Sequence, residues 1–477
     1  MRPLEALFVL LSLCVAVCFL IGRWRQIGRF FVAGAILAVV AHGFLEGMHW
    51  QMLPAYAALV VLCLFGWKSS PRRQWPRIVA AWSALALTAA SVVLSFVLPM
   101  FRLPKPTGPY PVGTTILYLT DTSRIEDAAP VAGLPREIAV QLWYPAGPSS
   151  NRFAPYREPR ETNLFSSYES VIHTNSRLDA PVADATAPFP VILFNHGWGG
   201  RRTYDTFLTE ELASHGYFVA SIDHTYNARQ VAFPDGRVVR TNAADDVGNP
   251  GGSTPERVRA LWDKELLKQT ADERFVLDRL QAMNLARGTP WFGHLDTQTT
   301  GAIGHSFGGA ASTNFCAEDP RVKASVNMDG WFFGAIRARG PNQPLLFIET
   351  SPALLAPIPG PNAPVETVLD WTDGVDLDAS LRRYGGLVLT LNGANHGDLT
   401  DEPELSPLRA LSHRGAISTV EVEKIVRTYV VAFFDKTLRG KDSPILNPDS
   451  RPFPEAYLQS WPAGGGGSAS PANPAGR

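Results

Sequence analysis

The chain of 477 residues has little cysteine and no excess of either charge: four Cys, and 43 Lys and Arg against 44 Asp and Glu. Cys14, Cys18 and Cys63 lie in apolar runs near the start, so Cys316 stands alone in the rest of the chain. No disulfide can form within that remainder, and topology has to fix the compartment instead. Balanced charge argues against a broad basic surface for nucleic acid. There is no internal repeat. Charged residues are scarce in the first hundred positions and ordinary afterwards, which marks a first boundary in a chain too long for one usual domain of about 100–200 residues.

Four apolar stretches fill that first region: residues 4–21, 30–44, 52–67 and 78–98. A helix needs roughly 20 residues to cross the hydrocarbon core, with about 17 as the lower end. The first and fourth stretches meet this, and the middle two are shorter. We read residues 1–100 as a four-span all-α transmembrane region, with two longer spans around a re-entrant pair as the alternative. Arg23, Arg25 and Arg29 follow the first stretch, and Lys68, Arg72, Arg73 and Arg77 follow the third, whereas the link between the second and third has no Lys or Arg. The positive-inside rule then puts both basic loops in the cytoplasm. Everything after about residue 100 is expected on the far side of an inner membrane, facing the periplasm or cell exterior. His42, Glu46 and His49 near the short link are expected in the interface beside Trp50, without chemistry, although an ion path is conceivable for ionisable groups at that depth.

Residues 101–112 contain Pro104, Pro106, Pro109 and Pro111, a composition that favours an extended spacer. Residues 113–442 alternate β-branched or apolar runs with amphipathic stretches, the pattern of a mostly parallel sheet flanked by helices. Strands are expected at 137–144, 191–195, 218–223, 301–304, 324–329, 345–349 and 387–392. Helices are expected at 206–215, 255–286, 307–318 and 418–438. Segments 145–187 and 351–380 read as surface excursions, and 443–477 as an extension ending in a disordered Gly/Ser/Pro tail.

One motif carries chemistry. Gly304-His305-Ser306-Phe307-Gly308-Gly309 matches the G-x-S-x-G nucleophile elbow, with a strand before it and a helix after it. A serine hydroxyl needs a base to take its proton, and His396, on a loop directly after an apolar strand, suits the order Ser, acid, His. His305 adjoins the nucleophile and is expected to point elsewhere. For the acid, Asp329 and Glu349 both end strands, and spacing does not choose between them. Asn195-His196-Gly197-Trp198-Gly199-Gly200 reads as an oxyanion loop, with the N–H groups of Trp198 and Phe307 as donors.

These residues resemble the platelet-activating-factor acetylhydrolase family of α/β-hydrolases, over roughly residues 134–436. The likeness is carried by Gln141-Leu142-Trp143-Tyr144-Pro145, the His196-Gly197 loop, Leu212-Ala213-Ser214-His215-Gly216-Tyr217, the elbow, and Met328-Asp329-Gly330-Trp331. The resemblance implies Asp329 as the acid, calcium-independent action without a cofactor, and an open site without a large lid. It implies hydrolysis of short-chain carboxylic esters, extending to short-acyl or oxidised phospholipids. A lipid or small-molecule ester and the bilayer are the expected partners. The rival expectation is a membrane sensor or transporter with a non-catalytic hydrolase-like binding domain.

Overall fold

The computed structural model describes residues 1–21, 27–68, 75–241, 254–351, 358–408, 412 and 414–464. Most of the basic residues used for orientation (Arg23, Arg25, Arg72, Arg73) and the Gly/Ser/Pro tail beyond 464 lie outside the described residues. Two compact units emerge. The first comprises Met1–Arg102 with Pro155–Thr174 and Glu402–Ser412; the second comprises Leu103–Ala154, Asn175–Asp401 and His413–Arg477.

The first unit is built on α1 (Pro3–Leu20), α2 (Arg29–Leu45), α3 (Leu53–Lys68) and α4 (Trp75–Val97). α1 and α4 are long and apolar enough to cross a membrane, while α2 and the helical run 50–65 are shorter. Small side chains let these helices approach closely, with Ala35, Ala38, Ala55, Ala58, Ala81 and Ala84 buried between them. Their outward faces are apolar too: Leu37, Phe44, Trp82 and Phe96 are all exposed. Part of the first excursion belongs to this unit. Within it the Phe101 and Tyr156 rings meet edge to face at 5.0 Å, and Trp50 Nε1 donates to the Phe165 carbonyl at 2.9 Å.

In the second unit an eleven-stranded sheet is formed by β1 (Val112–Ile125), β2 (Pro135–Pro145), β3 (Phe153–Pro155), β4 (His173–Leu178), β5 (Phe189–Asn195), β6 (Phe218–Asp223), β9 (Leu295–His305), β10 (Val322–Met328), β11 (Leu345–Glu349), β12 (Gly386–Leu391) and β13 (Ala456–Trp461). A separate hairpin holds β7 (Gln230–Ala232) and β8 (Val238–Arg240). The sheet order is β13-β12-β11-β10-β9-β5-β6-β2-β1-β4-β3. The run from β6 through β5, β9, β10 and β11 to β12 is parallel throughout. β2 joins β6 antiparallel, and β13 closes the other side antiparallel to β12. Every residue of β5, β6 and β11 is buried, as expected of parallel strands covered on both faces.

Helices α5 (Thr206–Ser214), α6 (Pro255–Leu285), α7 (Phe307–Glu318), α8 (Ile336–Arg339), α9 (Val365–Tyr384) and α10 (Thr419–Arg439) accompany the sheet. α6 starts cleanly because Thr254 accepts a hydrogen bond from the Arg257 N–H and Pro255 occupies the first helical position. α9 corrects the reading of 351–380 as excursion. Leu369, Leu377 and Leu381 are buried at multiples of four residues on one face, and the Asp-rich outer face had masked that period. Residues 107–110 do not stand clear as a spacer. Thr107 N donates to Glu211 Oε2 at 3.0 Å, and Gly108 N to Ser214 Oγ at 3.0 Å, so the segment is strapped to α5.

Candidate active site

The corner between β9 and α7 positions Ser306. Its backbone is held at φ 56° and ψ −125°, a region that side-chain-bearing residues rarely adopt. Ser306 N donates to the Met328 carbonyl at 2.8 Å, which ties the corner to β10. The neighbouring glycines are required by space. A Cβ on Gly304 would lie 2.3 Å from the Gly308 carbonyl oxygen, and one on Gly308 would lie 2.2 Å from that of Asn195.

Asp329 follows β10 and His396 follows β12, so the topology brings both to the same edge as Ser306. His396 Nδ1 donates to Asp329 Oδ2 at 2.7 Å. Thr350 fixes the same carboxylate through its N–H and its hydroxyl, each at 2.8 Å. Burial would raise the Asp329 carboxyl, but the hydrogen bonds from His396 and Thr350 outweigh it and hold the group below the ordinary carboxylate range. Glu349, the other acid considered, accepts instead from Thr390 Oγ1 at 2.7 Å. Among the described residues neither Ser306 Oγ nor His396 Nε2 makes a hydrogen bond, and catalytic bonds commonly tighten only on substrate binding.

The loop after β5 lies against Ser306: a Cβ on Gly197 would come within 2.9 Å of Ser306 Cβ. Among the described residues, the backbone N–H groups of Trp198 and Phe307 donate to no acceptor in the chain. The loop itself is firmly held. His196 Nδ1 donates to the Gly197 carbonyl at 2.7 Å and its Nε2 accepts from His224 N at 3.3 Å. Burial, with His224 nearby, pushes His196 down to about 4, so it is neutral near pH 7. Behind it, Asn195 donates to Glu273 and Ser312, and His224 bridges Asn195 to Asp272.

Sequence reasoning missed His305. Its ring stacks on His396 with centroids 4.4 Å apart, and its Nε2 donates to the His396 carbonyl at 3.0 Å. Burial drives its pKa down to about 3, which leaves the ring neutral and able to keep one N–H on that carbonyl. Adjacency to Ser306 suggests that His305 points elsewhere; instead its ring faces His396, a contact between residues 91 positions apart that no local motif signals.

A mostly parallel sheet with antiparallel β2, a strained serine between strand and helix, and a His–Asp pair on the two following loops define an α/β-hydrolase. Residues 97–233 and 289–444 match the family described as platelet-activating factor acetylhydrolase, isoform II, and the chain belongs to that family. Relatives include the platelet-activating factor acetylhydrolase of Canis lupus familiaris, 25% identical over 52% of this chain and 60% of its own length. A probable 1-alkyl-2-acetylglycerophosphocholine esterase of Arthroderma benhamiae is 26% identical over 51% of this chain and 63% of its own length. The chain thus spans about 60% of the length of the curated relatives it matches. A solved ferulic acid esterase from Streptomyces cinnamoneus is 31% identical, with a TM-score of 0.61 over 75% of this chain and 99% of that one.

Proposed function

We propose that this protein is a membrane-anchored serine hydrolase of short-chain carboxylic esters, acting through an acyl-enzyme. The observation that carries the reading is the unpaired pair of N–H groups, on Trp198 and Phe307, beside a serine held at φ 56°. Ser306 Oγ attacks the ester carbonyl and His396 Nε2 takes its proton. Asp329 keeps the ring in the tautomer with hydrogen on Nδ1 and stabilises its positive form. The oxyanion is received by the two N–H groups, which need no reorganisation as charge develops. His396 then protonates the leaving alcohol, and water repeats the sequence on the acyl-serine.

The names of the relatives support an ester substrate, and two of them specify acetyl esters of phospholipids. Short-acyl phospholipids are therefore the substrate class we put forward within the broader ester class. Anchoring by α1–α4 is supported by their apolar outer faces, which are costly to expose to water. In this reading the second unit lies on the periplasmic or outer side. Rates on a series of esters of increasing acyl length, with matched amides, test the proposal. Short esters are expected to be cleaved fastest, and Ser306→Ala to lower kcat by about 10⁴–10⁶-fold. Equal rates for the variant and the native chain would overturn it.

A further inference from the structure

Three ligand-type side chains from separate segments converge inside the helical unit: Glu5 in the first turn of α1, His42 near the end of α2, and His49 on the link to α3. All three are buried within the helical unit, and one donor atom of each lies within 4.8 Å of the other two. The bonding around them is directional. Gln51 Nε2 donates to the Leu98 carbonyl at 3.3 Å, which turns Oε1 toward His49 Nδ1 at 2.8 Å. That acceptor requires the hydrogen on Nδ1. Nε2 of a neutral His49 is then a lone pair, aimed at Glu5 Oε1 only 2.9 Å away. Two acceptors at that distance need either a hydrogen on one of them or a metal ion bound by both.

His42 is oriented in the same manner, with Nδ1 at 3.0 Å from the Glu46 carboxylate and Nε2 at 2.7 Å from the Tyr56 hydroxyl. An imidazole steered by an amide oxygen or carboxylate on one nitrogen is the arrangement found around bound metals, and a metal on His42 Nε2 would displace the Tyr56 hydroxyl. Charge points the same way. Two carboxylates, Glu5 and Glu46, share the one Arg2 guanidinium inside an apolar bundle. A proton on His49 would satisfy only its contact with Glu5 and would give His42 no part. A divalent ion would engage all three donors. Arg2 also bonds Glu5, but its guanidinium is anchored by the Glu46 and Gly47 carbonyls. Two histidines and one carboxylate are a zinc-type donor set bound at about 2.0–2.2 Å, which sets the donors roughly 3.4 Å apart, so the Glu5–His49 pair would open from 2.9 Å and the wider pairs, within 4.8 Å, would close.

We propose that Glu5, His42 and His49 form a structural site for a divalent metal ion of the zinc class, clamping the start of α1 to the link between α2 and α3. The test uses the full chain in detergent, purified without a polyhistidine tag, stripped with chelator, then equilibrated with Zn²⁺ and dialysed. About one zinc per chain is expected by elemental analysis, with a rise in Tm on its return. Ser306→Ala should keep the metal, whereas His49→Ala and Glu5→Gln should fall below about a tenth of it. Should either variant fail to fold, Co²⁺ added to the native chain decides, because a tetrahedral site gives strong visible absorption. Absent zinc and absent cobalt bands in folded native protein would overturn the proposal. So would undiminished zinc in folded His49→Ala, or a Tm that responds to pH but not to zinc.

Discussion

His305 gives the residue scale its sharpest test, because it touches His396, the base we propose, rather than the reacting atoms. Its N–H holds the His396 backbone at 3.0 Å while its ring supports the His396 ring. His305→Phe keeps a ring and removes the donor. We expect kcat to fall between about 5-fold, the worth of one hydrogen bond, and about 100-fold, the effect of a displaced catalytic group. KM should stay near native, and His305→Gln, which retains a donor, should recover part of the loss. A Phe variant with native kcat would remove His305 from the account. This residue also shows where reading the sequence stopped. Ser306, His396, Trp198 and Phe307 could be put forward from sequence because each sits in a motif or at a strand end. Asp329 and Glu349 were not separable by spacing, since both end neighbouring parallel strands. The difference lies in a three-dimensional contact: Thr350 and His396 turn toward Asp329, and Thr390 claims Glu349.

At the scale of elements, the start of α5 carries an unusual cluster. Asp401 accepts from Thr206 N at 2.9 Å and Phe207 N at 3.3 Å, capping the helix from a distant loop. Asp205 lies buried beside it, and its Oδ1 has no hydrogen-bond partner among the described residues. Burial raises both carboxyls well above the ordinary range, and for Asp401 the neighbouring Asp205 adds to the shift. Glu210, on the same helix, is pushed up by burial to about 7. A carboxyl whose pKa is raised by folding binds more protons in the native state than in the unfolded one. Its contribution to stability is full below the unfolded value of about 4 and declines as pH rises through the folded value. Tm should therefore fall as pH is raised from about 5 to about 8, and Asp205→Asn should flatten that slope. An unchanged slope in the variant would contradict the assignment. The buried strands β2, β5, β6 and β9–β12 were legible as apolar runs, as was α7, whereas β1, β4 and β13, with mixed burial, were not expected. α9 was hidden because its Asp-rich outer face outweighed a sparse apolar stripe.

At the scale of the whole molecule, residues 155–174 and 402–412 belong to the helical unit although they are drawn from the hydrolase half of the chain. No local pattern announces such an exchange, because Tyr156 packs on Phe101 and Phe165 on Trp50, partners in or beside helices far away in sequence. A fragment beginning near Tyr110 would lack those helices. Each large apolar side chain so exposed costs about 1.5–3 kcal/mol, so the fragment is expected to aggregate or to require detergent, with a Tm well below that of the full chain. A monomeric, equally stable fragment in plain buffer would refute this division.

The central claim, an activated Ser306, is tested most directly on the full chain in detergent with a fluorophosphonate probe and intact-mass detection. We expect one adduct per chain, mapped to the peptide containing Ser306 and absent from folded Ser306→Ala. A folded native chain that takes up no adduct, or a variant that labels as fast as the native chain, would contradict the account.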